Sequence, residues 1–331
     1  MTSAHTIRKE INLCLDTYES LVRALPDEEA RSRFIGSDIW NAMVRHLHSL
    51  GKKYQLPPTQ PDAPSWIQVA VYGQDKLNAP VNIAWMPGTD VVVVTEHNLP
   101  IVRFFKNKRQ LQIIQSDKLC AARLWPDKTG IWIASDAGRE IAHVNQELTT
   151  TTKLNLEKSL PDRDEALHMM HFAQHGKRLY FIMQDRHALR RNVYSVDLNA
   201  PEKPAEKHRM DVLLWPRQFI EHAGKLCLTD HWFPLLESFE TSGFRETTRT
   251  VYSHESRGAC SNGENLIFGT PNGLITCNKN GEPLSSVILS DNTAHGVSIH
   301  SLSPRIGDNG CLAALDVYDP KIRIFSANNQ K

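Results

Sequence analysis

The stretch VVVVTEHNLPIVRFF, Val91 to Phe105, reads as one β-hairpin: a β-branched run, a polar reversal, and a second apolar run returning against the first. The unit recurs. Apolar runs of the same form begin at Ile131 (IWIASDAGREIAHVN), Leu179 (LYFIMQDRHALRRNVYSVD), Leu226 (LCLTDHWFPLLESFE), Leu266 (LIFGTPNGLITCNKNG) and Leu312 (LAALDVYDPKIRIFS). Starts at 91, 131, 179, 226, 266 and 312 are 40, 48, 47, 40 and 46 residues apart, a period that signals propeller blades.

Working outward, each hairpin follows a shorter strand that ends at a turn. Pro87-Gly88, Pro126-Asp127, Gly176, Gly224, Gly263 and Gly310 stand just ahead of the strongest apolar runs, where a tight reversal needs preset or permissive backbone angles. A more polar fourth strand follows each of the first five hairpins, from Arg109, Leu148, His208, Phe244 and Pro283. The sixth has none after it. SWIQVAVYG, Ser65 to Gly73, alternates but belongs to no blade ahead of it, so it is expected to pair beside Lys321 to Phe325 and close the ring. The fold class is therefore all-β: a six-bladed propeller of four-stranded antiparallel blades over residues 65–326, with a short tail at 327–331.

RLWPDKTGIWIASDAGREIAHVN and DNGCLAALDVYDPKIRIFS resemble the repeats of NHL-type six-bladed propellers, in which an apolar run ends at an acid and the return strand carries a pair such as Arg323-Ile324. The resemblance implies the fold and, by itself, no function.

Residues 1–51 read as helices. Ile11, Leu15, Tyr18, Val22 and Leu25 make a stripe that stops before Pro26; a second start follows at Pro26 with Asp27 to Glu29. Ser37 or Asp38 caps a third helix with Ile39, Trp40, Met43, Val44, Leu47 and Leu50 on one face, and Gly51 is expected to stop it. Residues 52–64, rich in proline, form a linker. Three short helices do not bury such stripes alone, so they dock either on the propeller or on a partner.

Composition excludes some classes. Lys plus Arg is 38 against Asp plus Glu 37, so no overall field draws nucleic acid, and no apolar run is long enough to span a membrane. The six cysteines are scattered without metal or disulfide spacing, which fits a reducing, cytoplasmic setting.

No catalytic motif stands out. Hairpin ends carry Glu96, Asp136, Asp185, Asp230 and Asp316 in five of six blades. Glu96, Asp136, Asp230 and Asp316 are the candidate ligands for a divalent cation, as in propellers similar to calcium-dependent lactonases; the plainer reading is that such acids accept hydrogen bonds from turn amides. No cofactor is required by the sequence. Fifteen histidines include His97, His187 and His231 in the hairpin turns, with His168, His171, His254, His295 and His300 between blades. Asp230-His231-Trp232-Phe233-Pro234 places large aromatics in a turn, which suits an interface anchor. The densest basic stretch, Arg186 to Arg191 with Lys203, Lys207 and Arg209, is interrupted by acids.

The leading expectation is a non-catalytic scaffold that binds a protein or peptide partner through His97, Asp185, His187, Asp230, His231, Trp232 and Phe233. A metal-assisted hydrolase or lyase with a carboxylate-ringed channel is the alternative, and RNA binding a weaker one.

Overall fold

The computed structural model describes residues 4–34, 37–53, 65–97, 99–115, 122–135, 139–161, 166–208, 216–230, 235–240, 243–249, 257–270, 273–279, 281–289, 297–305 and 308–328. Six four-stranded antiparallel sheets make up the ring. Their inner strands are Pro80–Trp85, Arg123–Pro126, Ala166–His175, Pro216–His222, Gly258–Ser261 and Ile299–Arg305, which we take as blades one to six. The sixth sheet takes its outer strand from the front of the chain: Ser65–Tyr72 pairs antiparallel with Lys321–Asn328, Tyr72 against Ile322 and Trp66 against Ala327. Closure by the first strand is thus as the alternation in 65–73 predicts. The last strand runs on to Asn328, where it meets Ser65.

Two-residue turns tighten the hairpins. His222 pairs with Lys225 across Ala223 and Gly224, both at positive φ (50° and 73°), the signature of a type I′ turn. Two expectations shift. Gly310 lies inside the strand Asp308–Asp316, because Arg305 already pairs with Asp308 and the reversal falls earlier. The fourth strand of blade three is Glu206–His208, ahead of the stretch expected from His208 onward, so His208 ends it rather than starting it.

An inner strand pairs on one side only, and its other edge faces the channel with N–H and C=O groups to satisfy. Among the described residues, side chains of the neighbouring blade do this at five of the six seams. Thr95 Oγ1 donates to Ala122 O (2.7 Å), Arg123 Nε to Met170 O (2.6 Å), Arg191 Nη1 to Pro216 O (3.2 Å), and Arg217 Nη2 to Arg257 O (2.6 Å). Arg257 Nη1 reaches Ser298 Oγ (3.2 Å) and His300 Nε2 (2.8 Å), and Ser301 Oγ accepts from Ile83 N (3.2 Å), returning the circuit to blade one.

The helices are α1 (Ala4–Ala24), α2 (Glu28–Phe34) and α3 (Asp38–Lys53). Asp27 Oδ1 accepts from Ala30 N (2.8 Å) and Ser37 Oγ from Trp40 N (3.2 Å), so these two residues cap α2 and α3. Gly51 does not stop α3, since glycine inside a helix costs only about 1 kcal/mol. Ile7, Ile11, Leu15, Tyr18 and Val22 of α1 are buried, as are Trp40, Leu47 and Leu50 of α3, whereas Ile39 is 60% exposed. The buried residues form one apolar cluster with the interior of blades two to four, so the helices dock on their own propeller. Tyr18 packs against Trp40, and its hydroxyl pKa is pushed up by burial and by Asp230 and Glu237 of blade four.

Candidate functional site

Glu96 and Asp316, two of the acids singled out in the sequence, are wholly buried and engaged. Glu96 accepts from Arg103 Nε (2.5 Å) and Asn78 N (2.8 Å). Asp316 accepts from Arg323 Nε and Nη2 (3.1 and 2.9 Å) and from Ser298 N (3.1 Å). In both blades the acid fastens the return strand and the incoming loop. Asp230 is buried, and its charge acts to raise the pKa values of both Arg191 and Tyr18. His97 is exposed, and Asp185 ends a strand opposite Ala166. Asp136, His187, His231, Trp232 and Phe233 lie outside the described residues. Among the described residues no three His, Cys, Asp or Glu are grouped to hold a metal ion, and no helix is long and apolar enough to cross a membrane. None of the five described cysteines is in a disulfide.

What converges on the axis is a different set. At the channel end where the inner strands begin, every blade contributes to a cavity of about 260 Å³, through Val81, Arg123, Met170, Arg217, Arg257 and His300. Arg191, from the third blade's return strand, joins them. A recurring β-bulge aims four of these residues. The register skips Val81 between Pro80 and Asn82, Met170 between Met169 and His171, Arg217 between Pro216 and Gln218, and His300 between Ile299 and Ser301. A bulge turns its extra residue out of the pleat, here toward the mouth of the channel.

The electrostatics follow from four guanidiniums around one opening. His300 is pushed down to about 4 by burial, then by Arg257 and Arg217; His171, itself buried, falls to about 3 by burial, then by Arg123 and Arg217. Both are therefore neutral at pH 7, and His300 Nε2 accepts the Arg257 hydrogen bond. Even Arg191 is lowered to about 10, by burial and by Arg217, with Asp230 opposing and Arg123 adding. A hard divalent cation such as calcium takes six or more oxygen ligands, carboxylates prominent among them. The described lining is arginines, neutral imidazoles, apolar groups and the uncharged Asn82, Gln218 and Ser301, with no carboxylate, so a calcium-type centre does not fit this mouth.

The sequence reading marks His171 and His300 as histidines between blades and Arg191 as part of a basic stretch, but passes over Arg123, Arg217 and Arg257 because it follows the hairpin ends. Aligning the six inner strands gives the signal: PVNI, ARLW, MMHF, PRQF, SRGA and IHSL place three arginines and a histidine in one column.

A gluconolactonase from Xanthomonas campestris superposes with a TM-score of 0.59 at 10% identity, over 82% of this chain and 97% of that one. A luciferin-regenerating enzyme gives 0.55 at 11%, over 80% and 95%, and a chain of a nidogen–laminin complex 0.51 at 14%, over 65% and 81%. These likenesses show the six-bladed fold. No protein-family model and no curated protein sequence matches the chain.

Proposed function

We propose that this propeller binds a small organic anion at the mouth of its central channel, with Arg123, Arg191, Arg217 and Arg257 as the recognising groups. The observation that carries the reading is the convergence of four guanidiniums from blades two to five on one 260 Å³ cavity. Guanidinium matches carboxylate and phosphate in planar, two-pronged geometry, and hydrogen bonds to charged partners are the stronger class. Two neighbours of the same fold are named for small molecules, a gluconolactonase and a luciferin-regenerating enzyme, which favours a small ligand over a macromolecular one.

Calorimetric titration with acetate, succinate and inorganic phosphate tests it, with glycerol as a neutral control. At least one anion binds, its affinity falls as ionic strength rises, and Arg217→Gln and Arg257→Gln each weaken it about tenfold or more, as expected for a lost charge-assisted hydrogen bond. Anions that bind no better than glycerol, or equal binding by both variants, would remove the cationic mouth as the site.

A further inference from the structure

A second cavity, of about 350 Å³, opens at the other end of the channel, where the inner strands finish. Its walls are of another kind: Ile83, Leu124, Trp125, Phe219, Ile220 and Leu302 line it, all of them nine-tenths or more buried within the protein. Asn82, His171, Gln218 and Ser301 line both cavities, so the two abut along the axis. Each of these four residues directly follows its blade's bulge. One geometric device therefore places Val81, Met170, Arg217 and His300 at the mouth and, one residue later, the waist beneath it.

Three of the four waist residues are held to its walls. Gln218 donates to Ala259 O (2.8 Å) and accepts from Ala259 N (3.1 Å); Ser301 Oγ accepts from Ile83 N, and His171 Nδ1 from Phe219 N (3.4 Å). The partner in each case is an inner strand of the next blade, not a group across the axis. Beyond the waist, Trp125 stands edge-on to His171 with ring centroids 6.3 Å apart. Four charged residues also line this cavity: Lys128, Glu221, Asp127, which is held by Thr129, Gly130 and Trp132, and Arg305, which pairs with Asp90 (2.7 Å).

We infer that the ligand is an amphipathic acid lying along the axis, its anionic head among the four arginines and its hydrocarbon or aromatic body through the waist in the apolar cavity. This rests on the anion reading above and adds to it the second cavity. An anion alone uses one end of the channel, whereas an acid with an apolar body meets complementary chemistry at both.

Titration of the full chain with acetate, butanoate, hexanoate, octanoate and decanoate, all below micelle-forming concentrations, with 1-octanol as the headless control, tests the pairing. Affinity rises with chain length by up to about fourfold per methylene buried, then levels when the cavity is full. Octanoate binds better than octanol. Arg217→Gln lowers octanoate affinity about tenfold or more while leaving octanol unchanged, a separation that a merely structural defect would not produce. Leu124→Gln flattens the chain-length dependence; if that variant does not fold, the slope in the unaltered protein decides. Acetate binding as tightly as decanoate would overturn the amphipathic ligand and leave the anion reading standing. Octanol matching octanoate, with no effect of Arg217→Gln, would overturn the amphipathic acid, as would the absence of binding by every alkanoate; the anion reading falls with it only if succinate and inorganic phosphate also fail to bind.

Discussion

Asp316 and Arg323 are a buried pair, each less than a twentieth exposed at the side chain, and the carboxylate also takes the Ser298 amide. Removing one partner strands the other charge in a poorly solvated site. Arg323→Met is expected to cost about 3–5 kcal/mol, with part restored by the double replacement Asp316→Leu/Arg323→Met, both read from urea unfolding. The neutral histidines of the channel give a pH dependence. His300 faces Arg257 and Arg217, and His171 faces Arg123 and Arg217. In the unfolded chain an imidazole titrates near pH 6.5, so below about that pH the unfolded state takes up protons that the folded state refuses. Their contribution is whole above about pH 6.5 and is lost as pH falls toward about 4 for His300 and about 3 for His171. The loss approaches about 1.4 kcal/mol per pH unit for each histidine. Urea midpoints from pH 7 to pH 5 should fall, and His300→Gln should shallow the decline; a midpoint indifferent to pH would contradict it.

At the scale of elements, the closing strand Ser65–Tyr72 is fixed to more than its pairing partner. Trp66, almost fully buried, donates from Nε1 to Thr276 Oγ1 (3.0 Å) in blade five and packs with Ile267, Leu274 and Phe325. Trp66→Ala removes a large core side chain and its indole hydrogen bond, and about 3–5 kcal/mol of stability should go with it. Trp66→Phe, keeping most of the packing, should lose less; equal losses would assign the effect to the hydrogen bond. Gly130 belongs to the same scale. A Cβ there would sit 2.1 Å from Val144 O of the paired strand, so Gly130→Ala should force that pairing apart and lower the unfolding temperature by several degrees. Hairpins and closure were legible in the sequence because apolar runs, turn residues and a 40 to 48 residue step are local or regular signals. The bulges were not. A bulge shows as a skipped partner across two strands, and Val81, Met170, Arg217 and His300 share no side-chain type that would mark it.

For the whole molecule, the site is a property of the ring and of no single segment. Arg123 and Arg257 are 134 positions apart in sequence yet line one cavity, an arrangement that only the turn of the blades brings about. That is why the fold could be read from the repeat while the chemistry could not: the acids at the hairpin ends repeat visibly, but Glu96 and Asp316 spend their lone pairs on neighbouring strands. Since the axial mouth carries guanidiniums, millimolar calcium, magnesium or manganese should leave the unfolding temperature unchanged; a rise of several degrees, abolished by chelator, would point to a cation site elsewhere. The helices complete the molecule by covering the side of blades two to four, and Tyr18→Ala should expose that face and reduce stability by about 3–5 kcal/mol without opening the ring. Ser65 and Asn328, finally, are direct partners across the seam. With residues 1–64 moved to the new start of the chain, a short peptide bridge between them would turn the propeller into a covalent loop with no first blade. It could then be cut open at another reversal, such as Ala223-Gly224, and circular permutants begun there should assemble the same ring with its seam in a new place.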